Sequence, residues 1–408
     1  MAQALISKKG GGGDDYATIT FNNVTVNNGA LHLSATDLSV GRYNLSATTV
    51  GDYALFGGGD GSSYYSTVDA YNTSLTRSTP TSLSVGRRDL AATTVGDYAL
   101  FGGGYAANSS YYSTVDAYNT SLTRSTPTSL SSARNTLAAT TVGNYALFGG
   151  GYSYSYSSSS SQYYSTVDAY NTSLTRSTPT SLSVGRSNLS STTVGDYALF
   201  GGGGDGSSYY STVDAYNTSL IRSTPTSLSV GRSNLSSTTV GDYALFGGGY
   251  SYSGGYSGYY SEVDAYNTSL TRSTPTALSV GRYNLSATTV GDYALFGGGG
   301  TGNASSLVVD AYNNNLIRST PMGISPRRQG MGATTVGSYA LFGGGRSDNY
   351  SGLSVVDAYF LGKKIQLYPD TKYKFNGMAD EATSQTFQGI DVVIPINGYI
   401  KIKDASIS

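Results

Sequence analysis

Cysteine and tryptophan are absent from this 408-residue sequence, and histidine occurs once, as His32. Without cysteine there is no disulfide, no thiolate metal site and no thiol nucleophile, so burial and strand pairing must hold the fold. Charge is scarce as well: 12% of residues are Asp, Glu, Lys or Arg, and the formal net charge is -1. Holding a phosphate backbone takes a basic field; this balance excludes nucleic acid as a partner. No apolar run approaches the roughly 20 residues that a membrane-spanning helix needs, which argues against membrane insertion. The first residues, MAQALISKKGGGG, place a short apolar patch before two lysines, the reverse of a secretory signal. The expectation is a chain made in the cytoplasm without a signal peptide. Sequons such as Asn72-Thr73-Ser74 then read as turns and not as glycan acceptors.

What the sequence does have is a repeat. TTVGDYALFGGG runs from Thr48 to Gly59 and returns six times; its turn begins at Gly51, Gly96, Gly143, Gly195, Gly241, Gly291 and Gly337. Asn144 and Ser338 replace the turn Asp in two copies, and the intervals are about 45 to 52 residues. A period of that length marks a propeller or a solenoid, so one large domain is expected despite the length. Each repeat carries four strand-like runs, in the first copy Asn44 to Val50, Tyr53 to Gly57, Ser66 to Tyr71 and Ser74 to Ser84. Four strands make one propeller blade. The first run is small and β-branched, as an innermost strand must be where seven copies crowd an axis. The second brings Tyr, Leu and Phe to fill the space between blades. The fourth carries Pro80, Pro127, Pro179, Pro225, Pro275 and Pro321. Proline donates no ladder hydrogen bond, so this strand is the outer edge.

The ends of the chain fit a closed ring. NGALHLSATDLSVGR, from Asn28, lies without a gap over NTSLTRSTPTSLSVGR, which ends at Arg87, so a spare outer strand precedes the first full repeat. The seventh copy reaches SVVDAYF and then departs into unrelated sequence, lacking that same strand. Residues 1–26 form an arm with one strand-like run, TITFNNVTV; residues 27–360 form the propeller; residues 361–408 form a β-rich module with KKIQLY, TKYKFNG and GIDVVIPINGYIKIK as strands. That module is small for a core of its own. It is read as an attachment or assembly module, with a protective cap as the alternative.

These residues resemble the kelch repeats. The family shows a glycine doublet ending the second strand, aromatics before it (here Tyr53 and Phe56), and an Arg ahead of the first strand (here Arg42). The resemblance covers about residues 28–359 and implies an all-β, seven-bladed kelch-like β-propeller of four-stranded antiparallel blades, closed by an N-terminal outer strand, plus the C-terminal module. One departure concerns the tryptophan that kelch repeats place at the start of the fourth strand. Leu75, Leu122, Leu174, Leu220, Leu270 and Leu316 stand there instead.

Catalytic groups are few. His32 falls where other repeats have Arg77 and Arg124, and so reads as an edge-strand variant. Copper oxidases of the galactose oxidase type share the kelch fold but need two His and a Cys-linked Tyr, and sialidase-type Asp boxes are missing too. Asp69, Asp116, Asp168, Asp214, Asp264, Asp310 and Asp357 recur in the third run, and Arg42, Arg87, Arg134, Arg186, Arg232, Arg282 and Arg328 recur before the first. Seven equivalent copies suggest buried hydrogen bonds, or else an Arg ring that holds an anion at a channel mouth. Asp60 and Asp205 read as turn residues, or as a crude calcium loop with too few oxygen ligands. The reading is therefore not an enzyme, with no cofactor and no metal.

Variation is concentrated between the second and third runs, from DGSSYY after Gly59 to YSYSYSSSSSQYY after Gly151 and YSYSGGYSGYY after Gly249. In a four-stranded meander these loops all emerge on one face. Tyr, Ser and Gly are the alphabet of antibody-type paratopes, and tyrosines stack on sugar rings. Candidate ligand-binding residues are Tyr64, Tyr65, Tyr105, Tyr111, Tyr112, Tyr152, Tyr154, Tyr156, Tyr163, Tyr164, Tyr209, Tyr210, Tyr250, Tyr252, Tyr256, Tyr259, Tyr260 and Tyr350. The alternative is low-complexity drift without a target. The whole array looks like proteins encoded by bacteriophages and prophages of gut Firmicutes. That resemblance implies a virion tail or surface adhesin, partnered by a host-surface glycan or protein, by other virion subunits through the C-terminal module, or by copies of itself. A structural or scaffolding subunit is the second class kept open, and an enzyme survives as a third only at the channel mouth.

Overall fold

The computed structural model describes residues 16–20, 28–107, 110–363, 372–376, 383–387, 390–394 and 401–405, with side chains for 32–107 and 110–360. The chain divides into two units, His32–Tyr359 on one hand and Met1–Leu31 with Phe360–Ser408 on the other. Among the described residues no helix is long and apolar enough to cross a membrane.

The larger unit is a ring of seven four-stranded antiparallel sheets. In the first blade the strands are Ser46–Val50, Tyr53–Gly57, Val68–Asn72 and Arg77–Ser78, in spatial order from inside to outside. The seventh blade takes Gly332–Val336, Tyr339–Gly343 and Val356–Lys363 from one end of the repeat array and its outer strand, Asn28–Ser34, from the other. The spare strand therefore closes the ring. The fourth strands of the other blades are shorter than the sequence suggests: only two residues pair, Ala70 with Ser78 and Tyr71 with Arg77. Pro80 and its counterparts lie just beyond, where the missing N–H ends the ladder.

The turn before that short strand explains the leucines. Asn72 Oδ1 accepts from the N–H of Ser74 (3.0 Å) and of Thr76 (2.9 Å), an Asx-stabilised turn. It leaves Leu75 at φ 60, where a side chain is disfavoured. The side chain packs against the cluster of Leu38, Leu45, Phe56, Tyr71 and Leu341, and this burial offsets the backbone strain.

Blades lock through a glycine and a phenylalanine. A Cβ on Gly57, at the end of the second strand, would stand 2.8 Å from Phe101 Cε1 in the next blade, and Gly343 meets Phe56 in the same way across the closure. Phe56 in turn meets Tyr71 edge to face at 5.7 Å, and both are fully buried. The Tyr71 hydroxyl donates to the Thr36 carbonyl at 2.7 Å, tying the third strand to the segment that enters the blade.

Two hydrogen-bond circuits close around the axis. The Thr49 hydroxyl donates to the Thr335 carbonyl, and Thr94, Thr141, Thr193, Thr239, Thr289 and Thr335 each donate to the preceding blade in the same way. At the start of the inner strands, backbone N–H groups of Asn44, Asp89, Thr136, Asn188, Asn234, Asn284 and Gly330 each donate to the preceding member's carbonyl at 2.8–3.1 Å. The six non-glycine members all hold φ of 50–54. Asn and Asp tolerate that region; Thr136 stays there only because the ring over-determines it.

In the smaller unit, Tyr16–Thr20 pairs antiparallel with Lys372–Asn376, Tyr16 opposite Asn376. Thr383–Phe387, Ile390–Ile394 and Lys401–Ala405 form a three-stranded antiparallel sheet with an irregularity between Ile390 and Asp391. Most of the run KKIQLY lies outside the described residues.

Candidate functional site: the variable face of the ring

Asp69 Oδ2 accepts from Arg42 Nη2 at 2.7 Å, and Asp69 Oδ1 from Arg77 Nη1 at 3.0 Å. Ser39 adds its backbone N–H and hydroxyl, both at 3.1 Å, while Arg42 Nη2 also donates to the Phe56 carbonyl. The same hub recurs in each of the first six blades, its inner pair 2.7–2.8 Å apart and fully buried. Burial holds Arg42 below the ordinary guanidinium value, and Asp69 opposes that shift. These arginines are internal struts, in line with the reading of buried hydrogen bonds, and the alternative of an anion-holding Arg ring at the mouth fails because none of the seven reaches solvent.

The face that carries the long loops is built from short lateral rows. The residue after each buried Arg bridges to the first residue of the loop, Tyr43 to Asp60, Arg88 to Tyr105, Asn135 to Tyr152, Ser187 to Gly204, Ser233 to Tyr250, Tyr283 to Gly300 and Gln329 to Arg346. The returning loop adds a third member: Tyr64, Tyr111, Tyr163, Tyr209, Tyr259, Ser305 and Gly352. These rows surround the channel mouth, where a cavity of about 320 Å³ is lined by Asn44, Asp89, Thr136, Asn188, Asn234 and Asn284. Deeper in, an open space of about 340 Å³ is lined by the inner-strand threonines with their alanine and serine neighbours.

The sequence-derived tyrosines fall into three groups. Tyr64, Tyr105, Tyr111, Tyr152 and Tyr163 form a chain of ring contacts across three blades, at centroid distances of 5.1–6.0 Å. Tyr209, Tyr250 and Tyr259 form a second chain that continues to Tyr283. Burial pushes the Tyr111 hydroxyl up to about 12, so it stays protonated and can donate.

The second tyrosine of each pair faces the other way and braces the loop. The Tyr164 hydroxyl meets Ser153 Oγ at 2.9 Å and that of Tyr260 meets Ser251 Oγ at 2.7 Å. Tyr65 bonds Ser62, and Tyr210 donates to Asp205 Oδ2 at 2.6 Å. Tyr112 has its backbone N–H on the Gly104 carbonyl and its own carbonyl on the Arg134 N–H, the pattern of the whole group. Adjacent residues of an extended chain point to opposite sides, a signal present in each Tyr-Tyr doublet. A third group projects from the loops: Tyr154 contacts Tyr156 at 4.7 Å, and Tyr156, Tyr252, Tyr256 and Tyr350 are 66%, 53%, 82% and 71% exposed.

Several rim residues escaped the sequence reading because they lie in the connections and not in the long loops. Tyr43, Arg88, Tyr283 and Gln329 occupy the most variable position of the connecting segment, which holds Tyr, Arg, Asn, Ser or Gln in the seven copies, and that variability was the available signal. Asp60, expected as a turn residue, accepts from Gly61 N–H but also pairs with Arg88 Nη1 at 2.6 Å and accepts from the Tyr43 hydroxyl at 3.2 Å. Asp205 is a turn residue, capping Ser207 and Ser208. Those donors, led by the Tyr210 hydroxyl, hold its carboxyl well below the usual range. Among the described residues no three His, Asp or Glu side chains come together as a metal-holding group.

No family model matches the chain, and no curated protein does. Among solved structures it is similar to that of YjhT, a propeller-fold protein: TM-score 0.56, 12% identity, over 70% of this chain and 99% of that one. The likeness is one of architecture. A seven-bladed β-propeller is the fold of this chain.

Proposed function

We propose that this protein is a non-enzymatic recognition module that binds a surface glycan through the variable face. The observation that carries the reading is the aromatic rim: ring contacts run from Tyr64 through Tyr163, and again from Tyr209 to Tyr283, around a polar channel mouth. Sugar rings present C–H faces that stack on such aromatics and hydroxyls that their phenols and the Asn ring can bond. Glycans rank ahead of proteins because the loops carry little charge and many aromatic hydroxyl groups. Placement as a peripheral virion adhesin rests on the type of sequence alone, with the C-terminal module as the attachment to the particle.

The test is a glycan-array and host-cell assay of the full chain beside a variant with Tyr111, Tyr163 and Tyr259 changed to Ser. Selective binding that the variant loses supports the reading. Equal binding by the variant, or none by the folded parent, overturns it. One observation favours a scaffolding subunit instead: the opposite face repeats the same Gly-Asp and Asn-Thr-Ser turns in most blades, a surface suited to lattice contacts. A scaffold is found in high copy inside an assembly, an adhesin in low copy at its edge.

A further inference from the structure

The rim is not chemically uniform. From the third blade to the sixth, its connecting residues are Asn135, Ser187, Ser233 and Tyr283, and its loop roots are Tyr152, Gly204, Tyr250 and Gly300, all neutral. Asp205 and Glu262 lie in the loops of the fourth and fifth blades, but within these lateral rows the charges are gathered where the seventh, first and second blades meet. There Arg88 sits between Asp60 (2.6 Å) and Asp89 (3.3 Å), and its guanidinium lies over the rings of Tyr64 and Tyr105. Arg346 lies 5.6 Å from the Tyr43 ring and 4.8 Å from the Tyr350 ring.

Arg346 differs from nearly every other arginine of the ring. All eight lysines of the chain fall outside residues 32–359. Within that span each arginine except Arg327 and Arg346 is ion-paired to a carboxylate. The nearby Asp348 is turned away, accepting from the Ser305 N–H. Among the described residues Arg346 thus has stacking partners and no acceptor. Two tyrosines orient the plane of its guanidinium, and the forked donors on its edge are left for something else, a geometry that matches a planar oxyanion.

We infer that this sector binds a saccharide bearing a carboxylate, with Arg346 as the residue that selects the acid. The inference rests on the rim-recognition reading and deepens it. Asp60, Arg88, Asp89 and Arg346 sum to no net charge, so the sector suits a single negative charge better than a phosphate dianion. Asp60 and Asp89 accept from sugar hydroxyls, and the Tyr43 and Tyr350 rings flank the ring that carries the acid.

Calorimetric titration of the full chain with a glucuronate-containing oligosaccharide and with its carboxyl-reduced counterpart tests this. The parent is expected to prefer the acid by about tenfold or more at low salt. Arg346→Gln should abolish the preference and leave the affinity for the reduced sugar within about twofold, while Arg346→Lys, keeping the charge without the fork, should retain part of it. An unchanged melting temperature for Arg346→Gln shows that folding is not the cause. A preference that survives Arg346→Gln, or a parent that favours the reduced sugar, overturns this inference and leaves glycan recognition by the rim standing. A parent that binds neither these sugars nor any other glycan overturns both.

Discussion

His32 Nε2 lies 2.5 Å from Asp357 Oδ1, joining two residues 325 positions apart in the chain. In the other blades the same carboxylate oxygen is held by an arginine of the outer strand, as Asp69 is by Arg77. The closing blade keeps the inner arginine, Arg328, on Asp357 Oδ2, and the His32 ring also rests 5.1 Å from that of Tyr359. The single histidine is thus the clasp of the ring. His32→Ala should cost about 1–3 kcal/mol, the value of a hydrogen bond to a charged group. His32→Arg should fold with stability within about 1 kcal/mol of the parent, because it restores the hub of the other six blades. Urea denaturation of the two variants measures both; equal losses would mean that the clasp is not specific.

Removing a hub carboxylate is expected to be far worse. Asp168→Asn leaves Arg134, fully buried, and Arg176, a quarter exposed, with no compensating charge. The expected loss is about 3–5 kcal/mol for stranding the buried partner. Arg176→Gln, which removes only the partly solvated arm, should cost about 1 kcal/mol or less. The ratio of these losses, read from denaturation midpoints, tests whether the inner pair carries the blade.

The blade count, the strand order and the closing strand were legible because they are set by repetition: seven copies of one pattern and a spare end that matches a missing one. His32 could be placed on the closing strand by aligning it with Arg77. The outer strands were overestimated because a run such as Ser74 to Ser84 looks extended, although Pro80 stops its pairing after Ser78. At the rim, the loops could be found by their length. The opposite roles of Tyr163 and Tyr164, and the arrival of Arg88 beside Asp60, depend on which side of a short extended segment a residue points and on a neighbour 28 positions away. Length variation carries no information about either.

Asp89 gives a prediction in pH. It stands in the ring where four other blades have Asn, at the channel mouth, and desolvation there pushes its carboxyl up to about 6 against the attraction of Arg88. An acid whose folded value lies above its unfolded one stabilises the fold fully at pH below the unfolded value and loses that contribution as pH rises through about 6. Asp89→Asn should therefore raise stability at pH 7.5 by up to about 3 kcal/mol, an upper figure from the shift alone. It should also flatten the fall in melting temperature between about pH 4 and pH 7. Parallel curves for parent and variant would contradict this.

The contact between blades allows a test of packing. Gly102 has no room for a Cβ, which would stand 2.8 Å from Cε1 of the fully buried Phe148. Gly102→Ala must push that ring aside, at about 1–3 kcal/mol for overpacking. Gly254, at φ 60 with nothing within 4 Å, is the control, and Gly254→Asn should be close to neutral because asparagine accepts that backbone region. Thermal melts decide between this steric account and a general intolerance of glycine replacement.

The two tyrosines of one doublet should separate stability from recognition. The Tyr164 ring lies 5.7 Å from the Arg134 guanidinium, and its hydroxyl bonds Ser153 across the loop. Tyr164→Ser removes both, and about 1–3 kcal/mol of stability should go with the lost packing and hydrogen bond. Tyr163 belongs to the rim, where it meets Tyr152 at 5.1 Å, so Tyr163→Ser should change the melting temperature little and weaken glycan binding. Tyr156, two-thirds exposed beyond the rim, should matter to neither beyond about 0.5 kcal/mol if the ligand sits over the channel mouth. Binding that instead depends on Tyr156 and ignores Tyr163 would move the ligand outward onto the loop tips, and with it the role of every charge gathered at the mouth.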